Sequence, residues 1–289
     1  MSSFRQGKVS RFIFRRKRSQ FDGEFSWDAA SRRPASGSRS GSSPASISLG
    51  RPEVRLAQTM EQDFWTDRWA EGQTGWHAAQ PNPFLLQHLD HLGCQPDDVV
   101  LVPLSGKSLD LVWLRREAGL RAVGVEWAEK AVADTFVEAG LQPERRALDG
   151  GVELWWADGV AVLCADWFAV TRAHLDAACE AAGAARPLQA WWDRAALIAL
   201  PSEVRPRYAE HLLGLLPSAA RGLLLTIEYP EGQLPGPPFN VEPEEVHRHF
   251  DACCEVVETA FEDALAASPK RQAQGVTRFD ERLYALVKR

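Results

Sequence analysis

A glycine-containing turn and an acidic residue stand about 20 positions apart in this chain, a spacing typical of nucleotide-binding βαβ units. The turn contains Gly106, and the acid is Glu126. A small residue in such a turn lets a ligand approach the backbone, and a carboxylate at the tip of the second strand can bind ribose hydroxyls. These residues indicate a nucleoside site; an ordinary αβ crossover with a surface glutamate is the alternative.

The segments around the two residues follow the order strand, helix, strand. Residues 99–102 are a short apolar run rich in β-branched side chains, which predicts a parallel strand buried on both faces. An amphipathic helix follows and ends near Gly119. Residues 121–125 then form the second strand, so Glu126 lies at its tip.

The phosphate-binding motifs are incomplete. The turn lacks the full G-x-G-x-x-G pattern, which disfavours a dinucleotide oxidoreductase. Gly106-Lys107-Ser108 mimics the end of a P-loop, but that motif requires glycine at the position of Leu101. The remaining possibility is a nucleoside site without a diphosphate cradle. Such a site fits S-adenosylmethionine, which carries a sulfonium and no phosphate.

A third strand, residues 160–164, precedes Asp166 and Trp167. The carboxylate can accept a hydrogen bond from the exocyclic amine of adenine, and the aromatic ring can pack on the base. Asp166 is equally suited to cap a helix, and the two roles are compatible.

A fourth strand, residues 188–192, precedes Asp193 and Arg194. Ligands of open α/β sheets bind beyond the carboxyl ends of the strands, so this pair is well placed. A structural Asp193–Arg194 ion pair is the alternative.

With a fifth strand and two closing strands, the pattern predicts an α/β fold. Its sheet is doubly wound, mostly parallel and seven-stranded, with helices on both faces, which is a Rossmann-like architecture.

Residues 1–59 differ in composition from the rest of the 289-residue chain. They carry 12 Lys and Arg against 4 Asp and Glu, whereas the other residues carry 21 against 35. Their Ser/Gly/Arg-rich sequence has no apolar periodicity, which predicts a disordered leader before a domain at 60–289. A nucleic-acid-binding tail and a targeting segment are two interpretations; a biological start at Met60, with the leader an upstream artefact, is favoured.

No run of about 18 apolar residues is present, so no membrane span is predicted. The five cysteines lack C-x-x-C spacing, which favours a reduced cytoplasmic protein without structural zinc or disulfides. We expect a monomer that binds no metal and whose folded domain binds no nucleic acid.

Seven motifs resemble the bacterial thiopurine S-methyltransferase family. They are Phe64-Trp65-x-x-Arg68-Trp69, Gly75-Trp76-His77, Val102-Pro103-Leu104-Ser105-Gly106-Lys107-Ser108, Gly124-Val125-Glu126, Trp192-Asp193-Arg194-Ala195-Ala196-Leu197, Gly236-Pro237-Pro238-Phe239 and Glu281-Arg282-Leu283-Tyr284-Ala285-Leu286. Their order matches the family from Met60 nearly to the C-terminus. The family usually has cysteine where Ser105 stands and phenylalanine where Trp76 stands.

The resemblance implies methyl transfer from S-adenosylmethionine to thiopurines or related aromatic and heterocyclic thiols. Selenium and tellurium compounds are further candidate acceptors, and detoxification is the implied role. A thiol or halide methyltransferase of the same fold, and a non-catalytic nucleotide- or nucleic-acid-binding protein, are the alternatives.

Few of the expected site residues are predicted to act as a nucleophile or as a general acid or base. The predicted cofactor-binding residues are Trp69, Leu104, Gly106, Glu126, Asp166, Trp167 and Arg194. Trp76 and Arg194 are predicted to face the substrate. A thiopurine thiol ionises readily, so no catalytic base is assigned, and Arg194 is expected to orient an anionic group.

Overall fold

The computed structural model describes residues 65, 67–69, 71 and 78–289. The helices are α1 (Pro83–His88), α2 (Leu109–Arg116), α3 (Glu129–Glu138), α4 (Arg172–Ala181), α5 (Ala196–Ala199), α6 (Arg205–Leu215), α7 (Pro243–Phe250) and α8 (Pro269–Ala273). The strands are β1 (Val99–Val102), β2 (Arg121–Glu126), β3 (Glu144–Ala147), β4 (Glu153–Ala157), β5 (Val160–Cys164), β6 (Ala190–Asp193), β7 (Arg221–Glu228), β8 (Cys254–Asp263) and β9 (Asp280–Lys288).

The described strands form one sheet in the order β3-β4-β5-β2-β1-β6-β7-β9-β8. The central strands β5, β2, β1, β6 and β7 are parallel neighbours, and antiparallel pairs complete both edges. The chain runs outward from β1 to β2 and then continues from the other side of β1 with β6. This reversal opens a crevice at the carboxyl ends of β1 and β6, where ligands bind in such sheets.

Helices cover both faces of the sheet, which is why the central strands consist mainly of apolar residues. On one face, α4, α6 and α7 pack against alternate strand residues such as Leu101 and Trp191. On the other face, α1, α2 and α3 cover residues such as Val100 and Trp192. The predicted doubly wound, mostly parallel architecture with helices on both faces is confirmed.

The predicted number of seven strands is wrong, because the sheet has nine. The two additional strands, β3 and β4, form a hairpin beside β5. β3 has the sequence Glu-Arg-Arg-Ala and is exposed along its whole length, so no apolar alternation marks it as a strand. The guanidinium of Arg145 lies 3.2 Å from the ring centroid of Trp155 on β4. This cation–π contact contributes to holding a charged strand at the edge of the sheet.

The predicted leader, residues 1–59, lies outside the described residues. Within residues 78–289 and the few described before them, no helix combines the length and apolar character needed to cross a membrane. The same part of the chain contains no group of three or more His, Cys, Asp or Glu side chains placed to hold a metal ion. The cysteines are free thiols.

Candidate active site

A backbone hydrogen bond joins the turn after β1 to β2. The amide of Ser105 donates to the carbonyl of Val125 at 2.9 Å. Leu104 and Gly106 both have left-handed backbone, with φ of 44° and 53°. β2 approaches closely, since a Cβ on Gly124 would lie 2.7 Å from the Ser105 hydroxyl oxygen. The turn therefore presents backbone groups at the carboxyl end of β1, as the sequence predicts.

Glu126 is buried at the tip of β2, where backbone amides hold both of its carboxylate oxygens. Oε2 accepts from the Gly106 amide and Oε1 from the Ala128 amide, each at 2.8 Å. Burial raises the pKa of Glu126, and these amide bonds act in the opposite direction. The Trp127 amide also acts on the carboxylate, so three of its four lone pairs face backbone amides and one acceptor position is left for a further donor. The residue is thus positioned by the turn that a ligand would contact.

Trp69 covers this turn. Residues 67–69 are helical, and the Trp69 side chain packs against Ala128 and Ala131. Its Cζ2 atom would lie 3.2 Å from a Cβ placed on Gly106. The structure therefore brings Trp69, Gly106 and Glu126 together at one point. Trp76, predicted to face the substrate, lies outside the described residues.

The segment after β5 lies next to Glu126. The amide of Ala165 donates to the Glu126 carbonyl at 3.0 Å, which brings the following Asp166 to the same edge of the sheet. The Asp166 carboxylate accepts from the Phe168 amide at 3.0 Å and so caps a short 3₁₀ helix. The capping role that the sequence allows is present, and the contact of Asp166 with adenine stays a prediction.

Trp167 points into the core and not toward the crevice. Its side chain is 3% exposed, and its ring centroid lies 5.5 Å from those of Tyr208 and His211 on α6. The neighbouring Phe168 is only half-buried, and the guanidinium of Arg207 lies 3.9 Å from its ring centroid. The contact of Trp167 with the cofactor stays a prediction, and Phe168 is the more exposed aromatic side chain at this strand end.

Asp193 and Arg194, at the end of β6, have different environments. Asp193 is fully buried: Oδ2 accepts from the Tyr208 hydroxyl at 2.7 Å, and Oδ1 accepts from the amides of Ala196 and Leu197 at 3.1 and 3.3 Å. Its oxygens are therefore occupied by α5 and α6. The alternative of a structural Asp193–Arg194 ion pair stays a prediction.

Arg194 is partly buried and lines a small pocket between the segment preceding α1 and the start of α2. The pocket is lined by Ala78, Gln80, Asn82, Ser108, Leu109, Asp110 and Arg194. Arg194 interacts electrostatically with Glu281 on β9. Burial raises the pKa of Glu281, and the positive charge of Arg194 acts in the opposite direction. The guanidinium is thus held at the β1–β6 crevice, where an anionic group of a ligand can bind it.

Asp110 is a site residue that the sequence does not reveal. It is buried in the first turn of α2, where Oδ1 accepts from the Asn82 amide at 2.7 Å and Oδ2 from Trp192 Nε1 at 2.8 Å. These bonds join the start of α1 to β6 beneath the pocket. An acid in a first helical turn is common on surfaces as well, so its type and position gave no indication of burial.

The strand order and the crevice at the carboxyl ends of β1 and β6 are those of class I S-adenosylmethionine-dependent methyltransferases. The chain is similar in structure to a Burkholderia thailandensis 1,6-didemethyltoxoflavin-N1-methyltransferase, solved with 1,6-didemethyltoxoflavin and S-adenosylhomocysteine. The TM-score is 0.52 at 17% identity, over 85% of this chain and 93% of that one. At this level of identity the likeness establishes the fold.

The sequence comparisons establish the family. The family model for thiopurine S-methyltransferase (TPMT) matches residues 60–289. A thiopurine S-methyltransferase of Pseudomonas paraeruginosa is 44% identical over 227 residues, covering 78% of this chain and 99% of its own length. One from Pseudomonas fluorescens is 46% identical over 232 residues, covering 80% of this chain and its own full length. The chain belongs to the thiopurine S-methyltransferase family, whose members use S-adenosylmethionine as the methyl donor.

Proposed function

We propose that this chain transfers a methyl group from S-adenosylmethionine to the sulfur of a thiopurine or a related aromatic or heterocyclic thiol. The observation that carries the proposal is the buried Glu126 carboxylate, which backbone amides including those of Gly106 and Ala128 hold at the tip of β2 beside the turn after β1. An acid at this position suits a ribose hydroxyl. The relatives named above are thiopurine S-methyltransferases, which supports the acceptor class.

The residues at the strand ends fit the rest of the cofactor. Arg194 and the N-terminus of α2, both at the same pocket, suit the carboxylate of the amino-acid part. The backbone of Leu104 and Gly106 lies between this pocket and Glu126, and Trp69 closes the turn from the outside. Asp166 follows the neighbouring strand and suits the adenine amine.

When bound, S-adenosylmethionine would supply an electrophilic methyl group: the acceptor thiolate would form the new S–CH3 bond as the bond from the methyl to the sulfonium breaks, with S-adenosylhomocysteine as the leaving group. Because the acceptor thiol ionises readily, this chain needs to supply no general base. Its residues orient the acceptor sulfur in line with the methyl group at about 3–3.5 Å and exclude water. A guanidinium has hydrogen-bond donors and no acceptor, so the role of Arg194 is orientation or charge stabilisation.

The test has two steps. Calorimetry first measures binding of S-adenosylmethionine and S-adenosylhomocysteine to the full chain, and mass spectrometry then detects methyl transfer to a thiopurine. We expect binding of both and one added methyl group per thiopurine. Binding without transfer to any thiol would favour a non-catalytic role and overturn the proposal. Methylation of bisulfide or halide but not of the thiopurine would favour the thiol and halide class instead.

The finer expectations stay predictions from the sequence and the family resemblance. They are activity on selenium or tellurium compounds, a role in detoxification, a cytoplasmic location and a monomeric state. Adding selenium and tellurium oxyanions, together with a reducing thiol, to the same methyl-transfer assay tests the first.

A further inference from the structure

Asp193, which directly precedes Arg194 in the chain, forms a buried hydrogen-bonded pair with Tyr208. Both side chains are fully buried, and the Tyr208 hydroxyl donates to Asp193 Oδ2 at 2.7 Å. Burying a carboxylate is costly unless it is fully hydrogen-bonded, and Asp193 has three donors in all. The family resemblance gives no role to Tyr208, and the transfer chemistry described above uses neither side chain.

Asp193 anchors both ends of the short segment that carries Arg194, one end through its backbone in β6 and the other through its carboxylate. Asp193 itself is the last residue of β6, paired in register with Leu224 of β7. Its Oδ1 binds the amides of Ala196 and Leu197 in the first turn of α5. Only Arg194 and Ala195 lie between these anchored points. The backbone of Arg194 is therefore tied to the sheet on one side and to α5 on the other.

Tyr208 also contacts the segment that follows β5. Its ring centroid lies 5.5 Å from that of Trp167, with an interplanar angle of 36°. Trp167 directly follows Asp166, which is predicted to bind adenine. Tyr208 thus contacts the segments that carry Asp166 and Arg194, from the side of α6.

We propose that Asp193 and Tyr208 are positioning residues, which hold Arg194 in the orientation that methyl transfer requires. This inference rests on the proposed function of Arg194. A buried hydrogen bond also stabilises a fold in general, so the test must separate orientation of Arg194 from stability.

Tyr208→Phe is the test variant, because it keeps the ring packed on Trp167 and removes only the hydroxyl. Tyr284→Phe is the matched control: Tyr284 is equally buried on β9 and is aligned with Asp193 across Leu224 of β7. Loss of a hydrogen bond to a charged group lowers the stability of the arrangement by about a factor of ten or more. We therefore expect Tyr208→Phe to lower kcat/KM for the thiopurine about tenfold, and Tyr284→Phe to change it less than twofold.

A double-mutant cycle with Arg194→Ala supplies the decisive comparison. If Tyr208 acts through Arg194, Tyr208→Phe should lower kcat/KM less than twofold once Arg194 is absent. A second measurement needs no ligand: the side-chain NMR order parameter of Arg194 should fall in Tyr208→Phe and not in Tyr284→Phe. Equal losses of kcat/KM in both backgrounds, or an unchanged order parameter, would overturn the inference. A wild-type chain that binds no cofactor in calorimetry would overturn the proposed function first, and this inference with it.

Discussion

The amide of Gly106 lies 2.8 Å from Oε2 of Glu126, so the turn after β1 is hydrogen-bonded to the acid at the tip of β2. The amide that a ligand would approach and the carboxylate that would bind it therefore position each other. Loss of either residue should disturb both the turn and the ribose site.

Replacing Glu126 tests the ribose assignment. We expect Glu126→Ala to weaken cofactor binding by roughly 1.5–3 kcal/mol, about tenfold or more, because charge-assisted hydrogen bonds to hydroxyls are lost. Calorimetry with S-adenosylhomocysteine measures the change. Glu129→Ala is the control, since Glu129 is an exposed acid on α3 that pairs with Arg145 at 3.6 Å. Unchanged affinity in Glu126→Ala would contradict the assignment.

Replacing Gly106 tests the close approach of Trp69. Gly106→Ala places a Cβ on left-handed backbone, 3.2 Å from the Trp69 ring. Gly140→Ala imposes a similar backbone cost, with φ of 68°, but its Cβ would meet nothing within 4 Å. Both variants should lose about 1 kcal/mol of unfolding free energy from the backbone alone. Only Gly106→Ala should also weaken cofactor binding, and equal affinity in the two variants would show that the Trp69 contact is unimportant.

The central sheet and its ligand edge follow from local sequence patterns. β1 and β2 are continuous apolar runs, and Glu126 falls at the strand tip because strand length and helix length fix the spacing. β3 could not be predicted in this way. Its residues are exposed at the edge, so burial imposes no alternation on the sequence.

The contacts that position the site depend on residues far apart in the chain. Asp110 accepts one of its two hydrogen bonds from Trp192, 82 positions away, and Asp193, at the end of β6, accepts one from Tyr208 on α6. Trp167 is similar, because only the packing of α6 determines that its ring turns into the core. Residue type and spacing indicate which strand ends carry the site, but long-range packing determines which side chains reach it.

Truncation tests the domain boundary at Met60. Residues 60–289 should fold and bind the cofactor as the full chain does, since the leader has no apolar periodicity to contribute to a core. Melting temperature and calorimetry measure both properties. A chain that starts at Ala78 is the informative comparison, because it also lacks Trp69, which packs on Ala128 and Ala131. A loss of several degrees for residues 60–289 would show that the leader is structural.

Asp193 should make the stability of the protein depend on pH. Burial raises the pKa of Asp193 from 3.8 to about 6, so the folded protein binds this proton more tightly than the unfolded chain does. Ionisation of Asp193 should therefore lower the free energy of unfolding as the pH rises from 3.8 to about 6. Above pH of about 6 this loss of stability is complete. The shift corresponds to about 3 kcal/mol at most.

The measurement is denaturant unfolding at several pH values between 4 and 7. Asp193→Asn does not ionise, so the stability of the wild type relative to this variant should decrease across the range. Asp176→Asn, at an exposed acid that pairs with Arg172 on α4, retains Asp193 and is the control variant. A constant difference between wild type and Asp193→Asn would mean that folding does not raise the pKa of Asp193.

Arg194→Lys separates the charge of this residue from its geometry. Lysine keeps one positive charge but lacks the planar fork that binds a carboxylate through two parallel hydrogen bonds. If Arg194 orients an anionic group at the β1–β6 crevice, Arg194→Lys should lower kcat/KM for a thiopurine at least tenfold, while circular dichroism and melting temperature stay unchanged. Arg116→Lys is the control, since exposed Arg116 donates to the Ala139 carbonyl at 2.8 Å, remote from the crevice. Asp193 is already bonded to Tyr208 and α5, so loss of Arg194 should leave that pair intact. A stable Arg194→Ala protein with full turnover would therefore end the functional assignment of this residue.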